Sequence, residues 1–268
     1  FIAEVKDSSK STRLIPFEFS TQQTYILEFG DQYIRFYKDK GQILSSGSAY
    51  EIASPYLEAE LFEIKFAQSA DVMYICHENH SVRKLSRTGH TSWTLEKVEF
   101  TDGPYLSPNT TSTTVTPSAT TGTGITITAS ANLFAATDVD RLISFRNGYA
   151  EITAFTSATS VTADVKDNFD NTTATSDWKF GAFSDTSGHP SCVSFFEQRL
   201  VFAGTTNEPQ TLYFSKSGDY ENMTSGTNAD DAMIYTIASN QVNRIRYLKT
   251  QRTLIVGTTG GEFTVSAD

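Results

Sequence analysis

The strongest constraint on the fold is a pattern that occurs four times along the chain: a short apolar run, a polar break, and another run. Its fullest copy reads Val193-Ser-Phe-Phe, then Arg199-Leu-Val-Phe-Ala-Gly, then Thr211-Leu-Tyr-Phe after a break containing Thr, Asn and Pro. Runs of β-branched, aromatic and long aliphatic residues, separated by segments that cannot propagate a strand, describe consecutive antiparallel strands, a β-meander. Other copies run through Arg252-Thr-Leu-Ile-Val-Gly, through Asp71-Val-Met-Tyr-Ile-Cys-His with Val82-Arg-Lys-Leu, and through Tyr25-Ile-Leu-Glu-Phe-Gly with Tyr33-Ile-Arg-Phe-Tyr. An aromatic stands a few residues upstream of each: Phe19, Phe66, Phe196 and Tyr247.

Aligned on Ile26, Met73, Val201 and Ile255, the copies lie 47, 128 and 54 residues apart, against the roughly 40 to 50 that a propeller blade or similar meander needs. The middle interval fits once the 79 residues of 105–183, which differ sharply in composition, are set aside. The expected fold is therefore all-β. It consists of β-propeller-like meander repeats, about four visible, over 1–104 and 184–268, interrupted at 105–183 by a small inserted β-barrel or sandwich domain.

Thr, Ser, Gly and Ala dominate 107–130. Alternation in Ile125-Thr-Ile-Thr, followed by Asp138-Val-Asp-Arg-Leu-Ile-Ser-Phe-Arg, Tyr149-Ala-Glu-Ile-Thr-Ala-Phe, Ser160-Val-Thr-Ala-Asp-Val and Trp178-Lys-Phe-Gly-Ala-Phe, predicts a set of short strands. Asn147-Gly148 is a hairpin signal, and Leu133, Phe134, Leu142, Ile143 and Phe145 supply a core, so an ordered domain is expected rather than a linker. Elsewhere, Pro16 belongs at a strand edge because it cannot donate to a ladder. Turns are expected at Gly30-Asp31 and Thr88-Gly89-His90, Pro55 should break any helix at Leu57-Glu-Ala-Glu, Ala232-Met-Ile-Tyr-Thr-Ile forms a further strand, and 239–243 could make one helical turn. Ser86 and Trp93 hold the outer spacing of a sialidase-type turn, but Thr88 occupies its Asp position and Gly89 comes one place early.

The 31 acidic residues against 21 basic give a net charge of −10, which argues against a surface built to wrap nucleic acid, because phosphate binding needs clustered Lys and Arg. Cys76 and Cys192 form no Cys-x-x-Cys pair and no disulfide framework. No apolar run approaches the roughly 18 residues of a membrane span, and Phe1-Ile-Ala-Glu-Val-Lys carries charge where a leader would be apolar, so neither is expected. The text opens without Met and closes in strand-like Ser266-Ala-Asp268, as a piece of a longer polypeptide would.

Few residues combine into a site. Cys76-His77-x-x-His80 and His189-x-x-Cys192 could each be half of a zinc site, but neither has the paired-Cys knuckle that usually frames one. Asp167-Asn-Phe-Asp-Asn171 lacks the Gly and Glu of a calcium loop, and Asp219-Tyr-Glu-Asn222 follows a Ser217-Gly218 turn and reads as a loop rather than as an acid/base pair. No nucleophile elbow or phosphate-binding Gly-rich loop is present. The Asn-x-Ser/Thr matches at Asn79, Asn109, Asn171 and Asn222 are what a Thr-rich chain produces by chance. Catalytic, cofactor-binding and metal-binding residues are each expected to be none.

Six motifs, in order, resemble bacteriophage tail proteins of the nozzle or tail tubular protein B type: Arg13-Leu-Ile-Pro-Phe-Glu-Phe with Tyr25-Ile-Leu-Glu-Phe-Gly, Phe66-Ala-Gln-Ser-Ala-Asp-Val-Met-Tyr-Ile, Arg83-Lys-Leu-Ser-Arg, Glu197-Gln-Arg-Leu-Val-Phe-Ala-Gly, Ser215-Lys-Ser-Gly-Asp-Tyr-Glu-Asn and Val256-Gly-Thr-Thr-Gly-Gly-Glu. Asp140-Arg-Leu-Ile with Ile152-Thr-Ala-Phe-Thr-Ser is similar to a small β-barrel of phage proteins that carries a ubiquitin-activating-enzyme (FCCH-like) label and implies no ubiquitin chemistry. The resemblance implies a structural, non-enzymatic virion protein made in the bacterial host cytoplasm. Its subunits would form a homo-oligomeric ring around the DNA exit channel, in contact with other tail proteins (adaptor, fibres or spikes), with DNA passing through unbound in any sequence-specific way. An acidic wall would ease that passage, with carboxylates such as Glu28, Asp31, Glu58 and Glu60 on one ring surface. Two other classes stay open: a carbohydrate-binding β module presenting Tyr149, Trp178 or Tyr220 on one face, and a propeller glycosidase, which needs facing carboxylates roughly 5 to 10 Å apart.

Overall fold

The computed structural model describes residues 2–20, 23–238 and 241–266. Among these the chain is all-β: 24 strands in six antiparallel sheets, with two short 3-10 turns. Sheet I comprises Arg13–Ser20, Gln23–Gly30, Tyr33–Lys38 and Gly41–Gln42, with Glu51–Ala53 on the third strand; a small hairpin, Leu44–Ser45 with Ser48–Ala49, projects from it. Sheet II is the meander Lys65–Ser69, Val72–His77, His80–Gly89 and Ser92–Lys97. Sheet IV is Cys192–Phe196, Arg199–Ala203, Thr211–Phe214 and Met233–Thr236, and sheet V is Ile245–Thr250, Leu254–Thr258 and Glu262–Val265. The repeat anchors Ile26, Met73, Val201 and Ile255 all fall in the second strand of their sheets, and the upstream aromatics Phe19, Phe66, Phe196 and Tyr247 all fall in the first.

These sheets stack face to face, which explains why their middle strands are continuously apolar rather than alternating. In Val72–His77, Met73 and Ile75 face sheet I and pack with Phe17, Tyr25, Leu27 and Phe36, while Tyr74 and Cys76 face sheet IV and pack with Val193, Leu200 and Phe202. In Arg199–Ala203 the division repeats: Leu200 and Phe202 join sheet II, and Val201 and Ala203 pack with Ile245, Leu254 and Val256 of sheet V. Trp93 anchors the first of these interfaces, stacked 4.5 Å from Phe36 and edge-on to Phe17 at 4.8 Å.

Residues 105–183 supply sheet III, in spatial order Val115–Pro117, Ile125–Ala129, Ser160–Asp167, Gly148–Ser157, Leu142–Phe145 and Trp178–Phe180. Paired amide bonds between Val115 and Thr175 link its two ends, so the sheet curls back on itself around its own cluster of Ile127, Ile143, Phe145, Ile152, Val161 and Trp178. Phe169, inside the acidic Asp167–Asn171 loop, stacks 4.2 Å from Phe145 and ties that loop to this core.

Several turns differ from expectation by one residue. The first hairpin turns on Asp31-Gln32, and the one in sheet III on Arg146-Asn147, both of which have positive φ (50° and 61°) as the right-handed strand twist favours. Gly30 and Gly148 are strand residues instead. A Cβ on Gly30 would stand 2.2 Å from the Tyr33 ring, and one on Gly148 would stand 2.5 Å from the Asp167 carbonyl, so close approach selects glycine there. The third hairpin turns on His90-Thr91, after Gly89. Pro55 does not prevent helical geometry altogether: Glu58–Glu60 forms a 3-10 turn, with the Leu57 amide donating to Glu60 Oε2 at 2.9 Å. Pro16 lies on an edge strand, and Met233–Thr236 forms the further strand of sheet IV. The helical turn expected at 239–243 lies partly outside the described residues. No described helix is long and apolar enough to cross a membrane.

Candidate functional site

Among the described residues, one group of potential metal ligands converges: Glu60, His77 and His80, with one donor atom of each within 4.8 Å of the others. The hairpin dictates this. His77 and His80 pair directly across the Glu78-Asn79 turn, which puts both rings on one face, 5.3 Å apart. The 3-10 turn then delivers Glu60, whose Oε2 accepts from His80 Nε2 at 2.7 Å and whose Oε1 accepts from Asn79 Nδ2 at 3.3 Å. Burial alone would raise the Glu60 carboxyl, but the Leu57 amide and the His80 and Asn79 side chains outweigh it and hold it at about 2. Burial pushes the His77 imidazole down. The Asn79 amide donates to His77 Nδ1 at 3.2 Å, which leaves the ring proton on Nε2; that buried nitrogen has no hydrogen-bond partner, and the nearest carboxylate, Glu63, is 3.7 Å away. Tyr56 walls the group, edge-on to His80 at 5.2 Å.

The cysteines do not join this group. Cys76 and His77 alternate along one strand and face opposite sides, and both thiols are free, buried and pushed up by burial. His189 Nε2 instead donates to Asp185 Oδ1 at 2.8 Å, and its Nδ1 is buried without a partner. The two halves considered from sequence are thus not assembled into one ligand set. Glu60 was missed because it lies 17 positions from His77; the matched spacings Glu60-x-x-Glu63 and His77-x-x-His80 are the signal that could have found it.

The other residues singled out have structural employment. Glu221 accepts from Tyr74 Oη at 2.9 Å and from Lys84 Nζ at 2.7 Å, bridging to sheet II, while Asp219 holds the Asn222 side chain in its turn. Three of the four sequon asparagines serve Asx-type turns: Asn109 accepts the Thr111 amide at 3.1 Å, Asn171 that of Thr173 at 3.0 Å and Asn222 that of Thr224 at 3.0 Å. Trp178 is buried with Nε1 donating to the Thr113 carbonyl, so its ring is not open to stack on a sugar, and Tyr220 packs edge-on to Phe195. The expected carboxylate surface is corrected as well. Glu28 is buried, held by the hydroxyls of Tyr33 (2.5 Å) and Tyr37, the latter pushed up to about 12 by burial and by that carboxylate. Asp31, Glu58 and Glu60 do gather, but Asp31 is paired with Lys10 and accepts the Glu58 amide at 3.1 Å, and Glu58 accepts the Ser11 amide at 2.7 Å.

A cavity of about 340 Å³ lies where sheet III meets sheet II, with Lys97, Asp140, Glu151 and Lys166 on its wall. Its charges compensate one another: Lys97 lies 3.1 Å from Asp140 and 3.4 Å from Glu151, and Lys166 lies 2.8 Å from Glu151. The exposed charged residues of the first strands of sheets I, II, IV and V are Glu18, Lys65, Arg246 and Lys249, so the acidic excess does not reside there. The sequence matches no family model and no curated protein.

Proposed function

We propose that the chain is a structural subunit of a phage tail, of the nozzle type, in which the four stacked meanders act as consecutive blades of a propeller-like wall around a DNA exit channel. The observation that carries this reading is the order of the sheets. Each successive meander packs on the face of the one before, the Gln68 side chain clasps Glu18 of the neighbouring first strand, and Ser194 hydrogen-bonds Thr250 at 3.0 Å between the first strands of sheets IV and V. Sheet III interrupts the series as an inserted domain. Charged groups such as Lys84 and Glu221 serve sheet-to-sheet bridges, as expected of a scaffold. Antibodies raised against this chain should label the tail tip of virions produced by the strain that encodes it, and its absence from purified virions would contradict the proposal.

A further inference from the structure

We propose that Glu60, His77 and His80 form a site for a divalent transition ion of the zinc class, which pins the 3-10 turn Glu58–Glu60 to the hairpin at Glu78-Asn79. Two imidazoles and a carboxylate suit such an ion, and the donors come from two segments that both fold tightly for other reasons. A tetrahedral ion with bonds of about 2.1 Å draws its donors to roughly 3.4 Å of one another, so donors already within 4.8 Å close by a side-chain movement of about an ångström or more.

The surroundings of His77 decide which of its nitrogens ligates. This side chain is 1% exposed, and its Nε2 has no hydrogen-bond partner. With the Asn79 amide marking Nδ1 as the lone pair, the ion displaces that amide's hydrogen bond at Nδ1, and Nε2–H is left to donate to Glu63, now 3.7 Å away. That would be the carboxylate–histidine–metal arrangement in which an outer carboxylate fixes the ring. At the other imidazole, the proton on His80 Nε2 shifts to Nδ1, the other neutral tautomer, and the freed Nε2 and Glu60 Oε2 turn their lone pairs to the ion. Neither cysteine takes part, so this ligand set differs from the one weighed on sequence, where no metal was expected.

The chelator-stripped protein should take up one equivalent of Zn2+ in a calorimetric titration. Glu60→Gln and His80→Gln should each weaken uptake at least about tenfold, and Glu63→Gln should weaken it within the 10- to 100-fold range typical of outer-shell partners. Co2+ should give the visible bands of a low-coordinate nitrogen and oxygen site without a thiolate charge-transfer band. Zn2+ should also protect His80 from diethyl pyrocarbonate in the unaltered protein, a readout that stands even if a variant fails to fold. No uptake by the folded wild type, unchanged uptake in folded Glu60→Gln and His80→Gln, or a thiolate band would each overturn the proposal.

Discussion

Gln68 meets the backbone of Glu18 as a strand partner would: its Oε1 accepts the Glu18 amide at 3.0 Å and its Nε2 donates to the Glu18 carbonyl at 3.0 Å. A side chain thus joins the first strands of sheets I and II where no ladder runs. Gln68→Ala removes both bonds, and the one from Nε2 to the Ala70 carbonyl, from a partly exposed site, and the expected loss is about 1 kcal/mol, read as a lower urea midpoint at unchanged slope. An unchanged midpoint would show the clasp to be incidental.

Phe202 is fully buried between sheets II and IV, edge-on to Phe100 at 5.4 Å and to Phe183 at 5.8 Å. Phe202→Ala should cost about 3–5 kcal/mol. Phe155, 38% exposed on a strand of sheet III, is the control: Phe155→Ala should stay within about 0.5 kcal/mol. Equal costs at the two positions would contradict the stacking described for sheets II and IV.

Sheet III should fold apart from the stack, but its seam is not where composition changes. Ala182 and Phe183 pack into the core between sheets II and IV. Replacing residues 106–180 by a short Gly/Ser linker should preserve the far-UV circular dichroism and cooperative unfolding of the remaining sheets. A longer excision that also takes Phe183 should lower stability further by about 3 kcal/mol. Loss of cooperative unfolding after the shorter excision would sink the separate-domain reading.

Both thiols should be silent to a thiol reagent in the native protein and react fully once it is unfolded in guanidinium. Cys76 is 0% and Cys192 1% exposed, and burial raises both thiols, so little thiolate is available. Rapid reaction of either in native conditions would contradict the packing of sheets II, IV and V.

His189 sets a pH dependence. Burial lowers its imidazole below the ordinary 6.5, against the raising effect of Asp185. Because the folded value is depressed, stability is full above 6.5 and declines as the pH falls below it, where the unfolded chain takes the proton first, at up to about 1.4 kcal/mol per pH unit. The decline ends once the folded imidazole is protonated too. His189→Gln should lose one proton's share of it, measured as urea midpoints at pH 7.5 and 5.5; identical pH dependence in both proteins would contradict the assignment.

The strands were legible where burial on both faces makes a run continuously apolar, as in Arg199–Ala203, and the recurrence of such runs located the second strand of sheets I, II, IV and V. What could not be read was which face each side chain meets, since Met73 and Tyr74 are equally apolar text yet enter different cores. Turn registers slipped because glycine at Gly30 and Gly148 answers a tertiary close approach rather than a turn. Buried polar groups were opaque for the same reason: nothing local to Glu28 announces that two tyrosines of the next strand will enclose it. The Glu60, His77 and His80 group depends on a contact between segments that only the folded chain brings together.

The nozzle proposal is tested most directly by single-particle electron microscopy of the polypeptide, alone and mixed with phage tail adaptor proteins. Closed rings with a central channel wide enough for duplex DNA are expected, and dispersed monomers under both conditions would contradict the proposal.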